Sequence, residues 1–299
     1  MGDRMINKVI SINNYQNLQE YKTSLEKDFI KARNGKDPNC KKCDERGYIK
    51  SANKTKIGDK VISFDAICDC VSYEKNKIEE KLQRVNLLIK QYRAIFGNAT
   101  EDITLDRYAK DYRQAELIEM FKNYLEVSSP ASILLFGESK SGKTTILSLL
   151  WQIYSINKVN AFYLKASYFE KMYKQLYTSK SANDIQSAIN VKIENAKKCD
   201  ILLIDDLDSI GFTTAKNGYY EIFDYLNRHD KKVIMTSNSY IEDILEKLKE
   251  KKDKDSLRMA DKIISRMLGL GLIQLELKKY NPPQKTIIKR KTFENKREA

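Results

Sequence analysis

Apolar positions along this chain follow two rhythms, and the places where one gives way to the other mark out its parts. From about residue 130 onward, short unbroken apolar runs read as buried strands: Ile133–Phe136, 160–164, Ile201–Ile204, Val233–Thr236 and Leu272–Leu277. Between them lie longer stretches with apolar residues three and four apart, the spacing of an amphipathic helix, at 144–157, 167–177, 183–198 and 217–228. Phe169, Met172, Tyr173 and Leu176 make the stripe of the second. A long charged segment precedes the last strand. Strands alternating with helices predict an α/β fold, a parallel sheet with helices on both faces in three layers. Trp151 and Cys199 fall among the apolar positions and are expected in the core.

The first hundred residues lack this alternation. Tyr15, Leu18, Tyr21, Leu25 and Phe29 give one amphipathic helix within residues 1–35, its face turned to its own domain or to a partner. Gly47-Tyr48-Ile49 and Val61–Phe64 read as a small hairpin. Ile78, Leu82, Val85, Leu88, Ile89, Tyr92 and Ile95 predict a helix over 72–96, broken at Phe96-Gly-Asn-Ala-Thr100, and a further helix is expected at 111–126. The expected division is an N-terminal region 1–100, an α/β domain 101–277 and a tail 278–299. The tail carries eight Lys/Arg against two Glu, with Pro282-Pro283 near its start. It reads as mobile and cationic, either solvated or in loose contact with nucleic acid.

Composition sharpens the picture. The chain has 299 residues with a formal charge of +13, which favours a polyanionic partner, nucleic acid ahead of a membrane surface. Four prolines and eleven glycines suit helices with short connections. No apolar run approaches the roughly eighteen residues that span a bilayer, and the N-terminus lacks a secretory pattern. A cytoplasmic location is expected, where disulfides are rare. Cys40-x-x-Cys43 and Cys68-x-Cys70 then read as a Cys₄ zinc site, each pair supplying one edge of a tetrahedron to a module too small for much core of its own. A redox dithiol and an iron site are the rivals.

The chemistry centres on Gly137-Glu138-Ser139-Lys140-Ser141-Gly142-Lys143-Thr144-Thr145, which follows a strand and opens a helix. As G-x-x-x-x-G-K-[ST] it reads as a phosphate-binding loop rather than a chance glycine turn. Glycines let backbone N–H groups close on phosphate oxygens, and the helix N-terminus adds partial positive charge. Lys143 is expected to reach the β- and γ-phosphates of ATP, and Thr144 to face Mg²⁺. Asp205-Asp206 ends an apolar strand about sixty residues on. Asp205 is expected to hold Mg²⁺ through water, and Asp206 stands where a general base would polarise the attacking water. Ser237-Asn238 follows the next strand and places an amide near the γ-phosphate, and Arg266 sits on a late apolar helix.

In this order, Gly137–Thr144, Ile201–Asp206, Thr236-Ser-Asn238 and Ser265-Arg266 resemble the AAA+ ATPases of the bacterial helicase-loader family, DnaC/DnaI type, and their IstB-like relatives. Cys40-Lys-Lys-Cys43 with Gly47-Tyr-Ile resembles the zinc-binding N-terminal domain of many DnaI-like loaders. The resemblance implies ATP binding, docking of the N-terminal domain on a hexameric replicative DNA helicase, and delivery of that helicase to single-stranded DNA. It also implies self-association, with Asn238 as first sensor and Arg266 as an arginine finger offered to the next subunit. Lys165, Tyr168, Lys171 and Lys174 fall where related initiators approach single-stranded DNA, although any one lysine is equally well a solvated charge. Three features depart from the family pattern. Lys140 stands where glycine is common, Asp206 replaces the commoner glutamate, and no second-sensor arginine is evident. Arg228 matches a position where the family often has arginine, with no role assigned.

Other readings differ in partner or class. A transposition helper would share every ATP-site residue but not the cysteine pairs. A small-molecule kinase needs an arginine-rich lid that the chain does not show. A zinc-bearing scaffold leaves the phosphate loop, Asp205-Asp206 and Asn238 without a purpose.

Overall fold

The elements follow from where the chain can pair its backbone and hide its apolar side chains. A computed structural model describes residues 17–34, 40–42, 48–57, 60–98, 100–112, 115, 117–119, 132–178, 181–209, 215–249 and 254–277. Helix α1 (Leu18–Asn34) comes first, then the antiparallel hairpin β1 (Tyr48–Ile57) and β2 (Lys60–Ile67). Helix α2 (Asp69–Phe96) runs for 28 residues and stops at Gly97, whose φ of 76° suits glycine and whose N–H caps the carbonyl of Arg93. Helix α3 (Leu105–Tyr112) precedes the sheet domain. Most of the helix expected at 111–126 lies outside the described residues.

The sheet domain alternates as expected: β3 (Ile133–Phe136), α4 (Lys143–Ile156), β4 (Ala161–Lys165), α5 (Ala166–Leu176), α6 (Ala182–Lys198), β5 (Ile201–Asp205), α7 (Lys216–Arg228) and β6 (Lys232–Ser237). The charged segment before the last strand holds two helices, α8 (Ile241–Lys249) and α9 (Lys254–Gly269), and β7 (Ile273–Glu276) closes the sheet. Strand order is β4-β5-β6-β3-β7, and every neighbouring pair is parallel. Parallel pairing requires crossovers, so helices cover both faces.

Period-two alternation along each strand divides the side chains between two cores. Leu134, Leu164, Leu202, Ile204, Val233 and Met235 face α5, α6, α7 and α9. Ile133, Leu135, Ile201, Leu203 and Ile234 face α4. Leu18 and Leu25 of α1 and Val85, Ile89 and Tyr92 of α2 join this second core, so the N-terminal helices pack where α4 packs. Trp151 and Cys199 are buried, as their positions imply. Among the described residues no helix is long and apolar enough to cross a membrane.

Candidate functional site

The carboxyl ends of β3, β5 and β6 meet at one edge of the sheet, where the loop into α4 also lies. Gly137 begins that loop at φ 152°, and its N–H donates to the Ser237 carbonyl at 3.2 Å. A Cβ on Gly137 would stand 2.3 Å from the Leu277 carbonyl oxygen, so only glycine fits beside the chain end of β7. Gly142, left-handed at φ 89°, turns the chain into α4. Lys140 is also left-handed at φ 68°, which accounts for glycine being common at this position. Glu138, Ser139 and Lys140 are exposed, Ser141 is buried and Thr145 half-buried. Tyr108 of α3 braces the turn from behind, its hydroxyl 3.3 Å from the Gly142 carbonyl.

Lys143 opens α4. Its ammonium donates to the carbonyls of Gly137 (2.8 Å) and Glu138 (2.7 Å) and, more weakly, to Ser141 Oγ (3.4 Å). Burial lowers its pKa, and the carboxylates of Asp208, Asp206 and Asp205 oppose that shift. The ammonium thus lies across the loop, between its carbonyls and the acidic edge of β5.

Asp205 is fully buried and takes three hydroxyl contacts. Thr144 Oγ1 lies 3.2 and 3.0 Å from its two oxygens, Thr236 donates to Oδ1 at 2.6 Å, and Tyr163 donates to Oδ2 at 2.9 Å. Asp206 turns into the left-handed region at φ 57°, and its N–H donates to Thr236 Oγ1 at 3.0 Å. Burial and the neighbouring Asp205 charge raise the Asp206 pKa, while Lys165, 3.9 Å away, works against them. Asn238 is exposed and oriented by Asp208, which accepts from its backbone N–H at 3.1 Å and from its side-chain amide at 3.0 Å. The phosphate loop, Asp205, Asp206 and Asn238 therefore gather at one edge, as the sequence order suggested.

Three supporting residues belong to no motif noticed in the sequence: Tyr163, Asp208 and Tyr108. For Tyr163 a signal existed. Strand alternation puts it on the same face as Leu203 and Asp205, and the register β4–β5 pairs Tyr163 with Leu203. Asp208 and Tyr108 carry no comparable signal.

Arg266 is not at this edge but on α9, packed against α7. Its Nε donates to Asp224 Oδ1 at 2.5 Å, and its side chain is 34% exposed. Arg228 takes the other oxygen of Asp224 at 2.9 Å. On α5, Tyr168, Lys171 and Lys174 share the solvent side, opposite buried Phe169, Met172 and Tyr173. Lys192 of α6 lies over the Tyr168 ring at 5.5 Å. Lys165, by contrast, leans toward Asp206.

At the N-terminal region, the sulfurs of Cys40 and Cys68 are 3.6 Å apart, too far for a disulfide of about 2.05 Å. Cys43 lies outside the described residues, and Cys70 is in the first turn of α2 with its side chain outside them. Among the described residues no three His, Cys, Asp or Glu side chains form a cluster able to hold a metal.

Comparison with known proteins bears on the sheet domain. Residues 133–257 match the family model described as ATPase family associated with various cellular activities (AAA). A chromosomal replication initiator protein DnaA of Bacteroides thetaiotaomicron is 27% identical over 111 residues, 36% of this chain. The matched stretch is 22% of that relative's length. Among solved structures, a DnaI is 19% identical over 62% of this chain and 90% of its own, with a TM-score of 0.45. An AMPPCP-bound DnaA from Aquifex aeolicus is 22% identical over 62% of this chain and 53% of its own, with a TM-score of 0.43. Residues 133–257, with the phosphate loop at their start and Asp205-Asp206 in their middle, are the part of this chain that is similar to the AAA ATPase family.

Proposed function

We propose that this chain is an ATP-dependent loader of a hexameric replicative DNA helicase, which it engages through residues 1–100 and places on single-stranded DNA. The observation that carries the reading is the joining of two parts in one chain: paired cysteine sulfurs 3.6 Å apart beside α2, and an AAA+ ATP site at the sheet edge. The replication initiator relative supports a role at the start of replication.

The residues present fit Mg²⁺–ATP. The amino end of α4 opens directly from the loop at left-handed Gly142, a setting that favours phosphate. Thr144 and Asp205 already share contacts and together offer hydroxyl and carboxylate oxygens, the donors that Mg²⁺ prefers. Mg²⁺ supplies charge neutralisation at the phosphates. Lys143 adds a cation there, Asp206 accepts a hydrogen bond from the attacking water, and Asn238, steadied by Asp208, orients it. Arg266 of the next subunit completes the charge balance.

The spacing of Cys40 and Cys68 also suits two zinc ligands. Two thiolates at about 2.3 Å from a tetrahedral Zn²⁺ stand about 3.8 Å apart, close to the 3.6 Å between Cys40 and Cys68. Cys43 and Cys70 complete the proposed set. Zinc supplies a structural staple and no catalysis.

The test is retention of the cell's purified replicative helicase by the immobilised full-length chain. ATP-dependent retention, lost on Cys43→Ser, is expected. A protein that hydrolyses ATP on single-stranded DNA yet never retains that helicase is a DNA-remodelling helper of another kind, such as a transposition ATPase.

A further inference from the structure

A carboxylate that holds a divalent cation works best when its other lone pairs are already committed. At Asp205 those commitments come from both sides of β5. Thr236 on β6 donates to Oδ1 at 2.6 Å, and Tyr163 on β4 donates to Oδ2 at 2.9 Å. Thr144 lies near both oxygens from the front, on the side that would face the cation. Thr236 belongs to the strand that carries Asn238, but Tyr163 belongs to no phosphate-binding motif.

What holds Tyr163 is equally specific. Its ring meets Phe96 edge-on, with centroids 4.5 Å apart, and Phe96 packs in turn on Tyr92 at 5.1 Å and Trp151 at 6.3 Å. Phe96 is the last residue of α2, and Cys68 immediately precedes that helix. The Tyr163 hydroxyl can only donate to Asp205, because an ionised carboxylate offers acceptors alone. Phenylalanine would fill the same space against Phe96 and lack only the hydroxyl, so packing does not explain why that group points at Asp205.

We propose that Tyr163 is a positioning residue for the metal-binding carboxylate of Asp205, and that Phe96 at the end of α2 holds Tyr163 in register. A path of direct contacts then runs from the cysteine-bearing start of α2 to the cation site. The inference rests on the Mg²⁺–ATP reading of that site.

The test uses the full-length chain and a fluorescent ATP analogue, read by anisotropy, so no turnover is required. Nucleotide affinity is measured in EDTA, and the Mg²⁺ concentration that half-restores tight binding is then titrated. Tyr163→Phe is expected to raise that Mg²⁺ midpoint about tenfold, the lower end of the cost of losing an outer-shell partner. Its affinity in EDTA should match the wild type. Phe96→Leu, which keeps the hydroxyl but loses the ring contact, should move the midpoint in the same direction by less. A Tyr163→Phe midpoint equal to the wild type overturns the proposal. So does a variant weakened equally with and without metal, which is the mark of a disturbed core. A wild-type protein with no Mg²⁺-dependent binding overturns the nucleotide-site reading itself, and this inference with it.

Discussion

Arg266 donates to Asp224 Oδ1 at 2.5 Å while Arg228 holds the second oxygen of the same carboxylate at 2.9 Å. The two arginines come from α9 and α7, so Asp224 joins the helices and fixes where Arg266 points. The Asp224 carboxylate and the Tyr220 side chain, both on α7, hold the Arg266 guanidinium in its charged form. Asp224→Ala is therefore expected to keep ATP binding and lose part of the turnover, with Arg266→Ala losing more. Steady-state hydrolysis alongside equilibrium ATP binding checks this. Wild-type turnover in Asp224→Ala would reduce the contact to an ordinary surface ion pair, which contributes little.

A second carboxylate ties α1 and α2 to the segment that leads into α3. Glu101 is buried and accepts from Arg93 Nε at 2.7 Å and from a terminal nitrogen of Arg93 at 2.9 Å, with Gln19 of α1 as a further donor. The Arg93 contact holds its pKa below the ordinary carboxylate value. A depressed carboxylate stabilises the fold above its unfolded-state pKa and loses that contribution as pH falls through the folded value. Glu101→Gln should thus lower Tm at pH 7, and the gap to wild type should close in acid below the ordinary glutamate range. Thermal melts from pH 7 to pH 3 decide it; a gap independent of pH would show that the charge is not the cause.

Much of this was legible because local pattern and global fold agree. Strand and helix positions in the sheet domain were readable from apolar spacing to within a residue or two, since β3, β5 and β6 are buried almost throughout and α5 and α7 are buried along one face. The phosphate loop and Asp205-Asp206 were readable because their spacing is dictated by phosphate and metal geometry. Side-chain partners were not. Asp224 and Arg266 are 42 positions apart and Tyr163 and Asp205 likewise, and nothing local to either residue encodes the meeting. Nor could helical spacing name the surface that Leu18, Val85 and Tyr92 would cover, which is the core behind α4. The charged segment before β7 concealed α8, whose outer face is polar, whereas the apolar positions around Arg266 had already marked part of α9.

The cysteine pairs give a compositional prediction. Metal analysis of the purified, reduced protein should find about one zinc per chain. Cys43→Ser should release it and unfold the hairpin module while ATP binding persists, because the ATP site is built from the sheet edge. A metal-free protein with an intact N-terminal region would defeat the assignment.

Tyr168 is 55% exposed beside Lys171, and a base stacked on the ring with phosphates near the lysine is the expected mode of single-strand contact. Tyr168→Ala should weaken ATP-dependent binding of single-stranded DNA at all salt concentrations. Lys171→Ala should also flatten the plot of log affinity against log salt, by about 0.7 for one lost phosphate contact on a single strand. Unchanged binding in both variants at moderate salt rules this face out.

If two subunits complete each ATP site, two differently defective variants should restore one another when mixed. Lys143 lies across the phosphate loop on the carbonyls of Gly137 and Glu138, where the phosphates of ATP are proposed to bind, so Lys143→Ala should lose ATP binding. Arg266→Ala should bind ATP normally and lose turnover, by up to about 10³-fold or more if it acts as arginine fingers do elsewhere. Neither variant should hydrolyse ATP appreciably alone. Mixed together, they should recover activity, because an Arg266→Ala subunit keeps an intact loop and its Lys143→Ala neighbour still offers an intact Arg266. A mixture as inactive as its components, with mixed oligomers shown to form, would contradict an arginine acting across the interface.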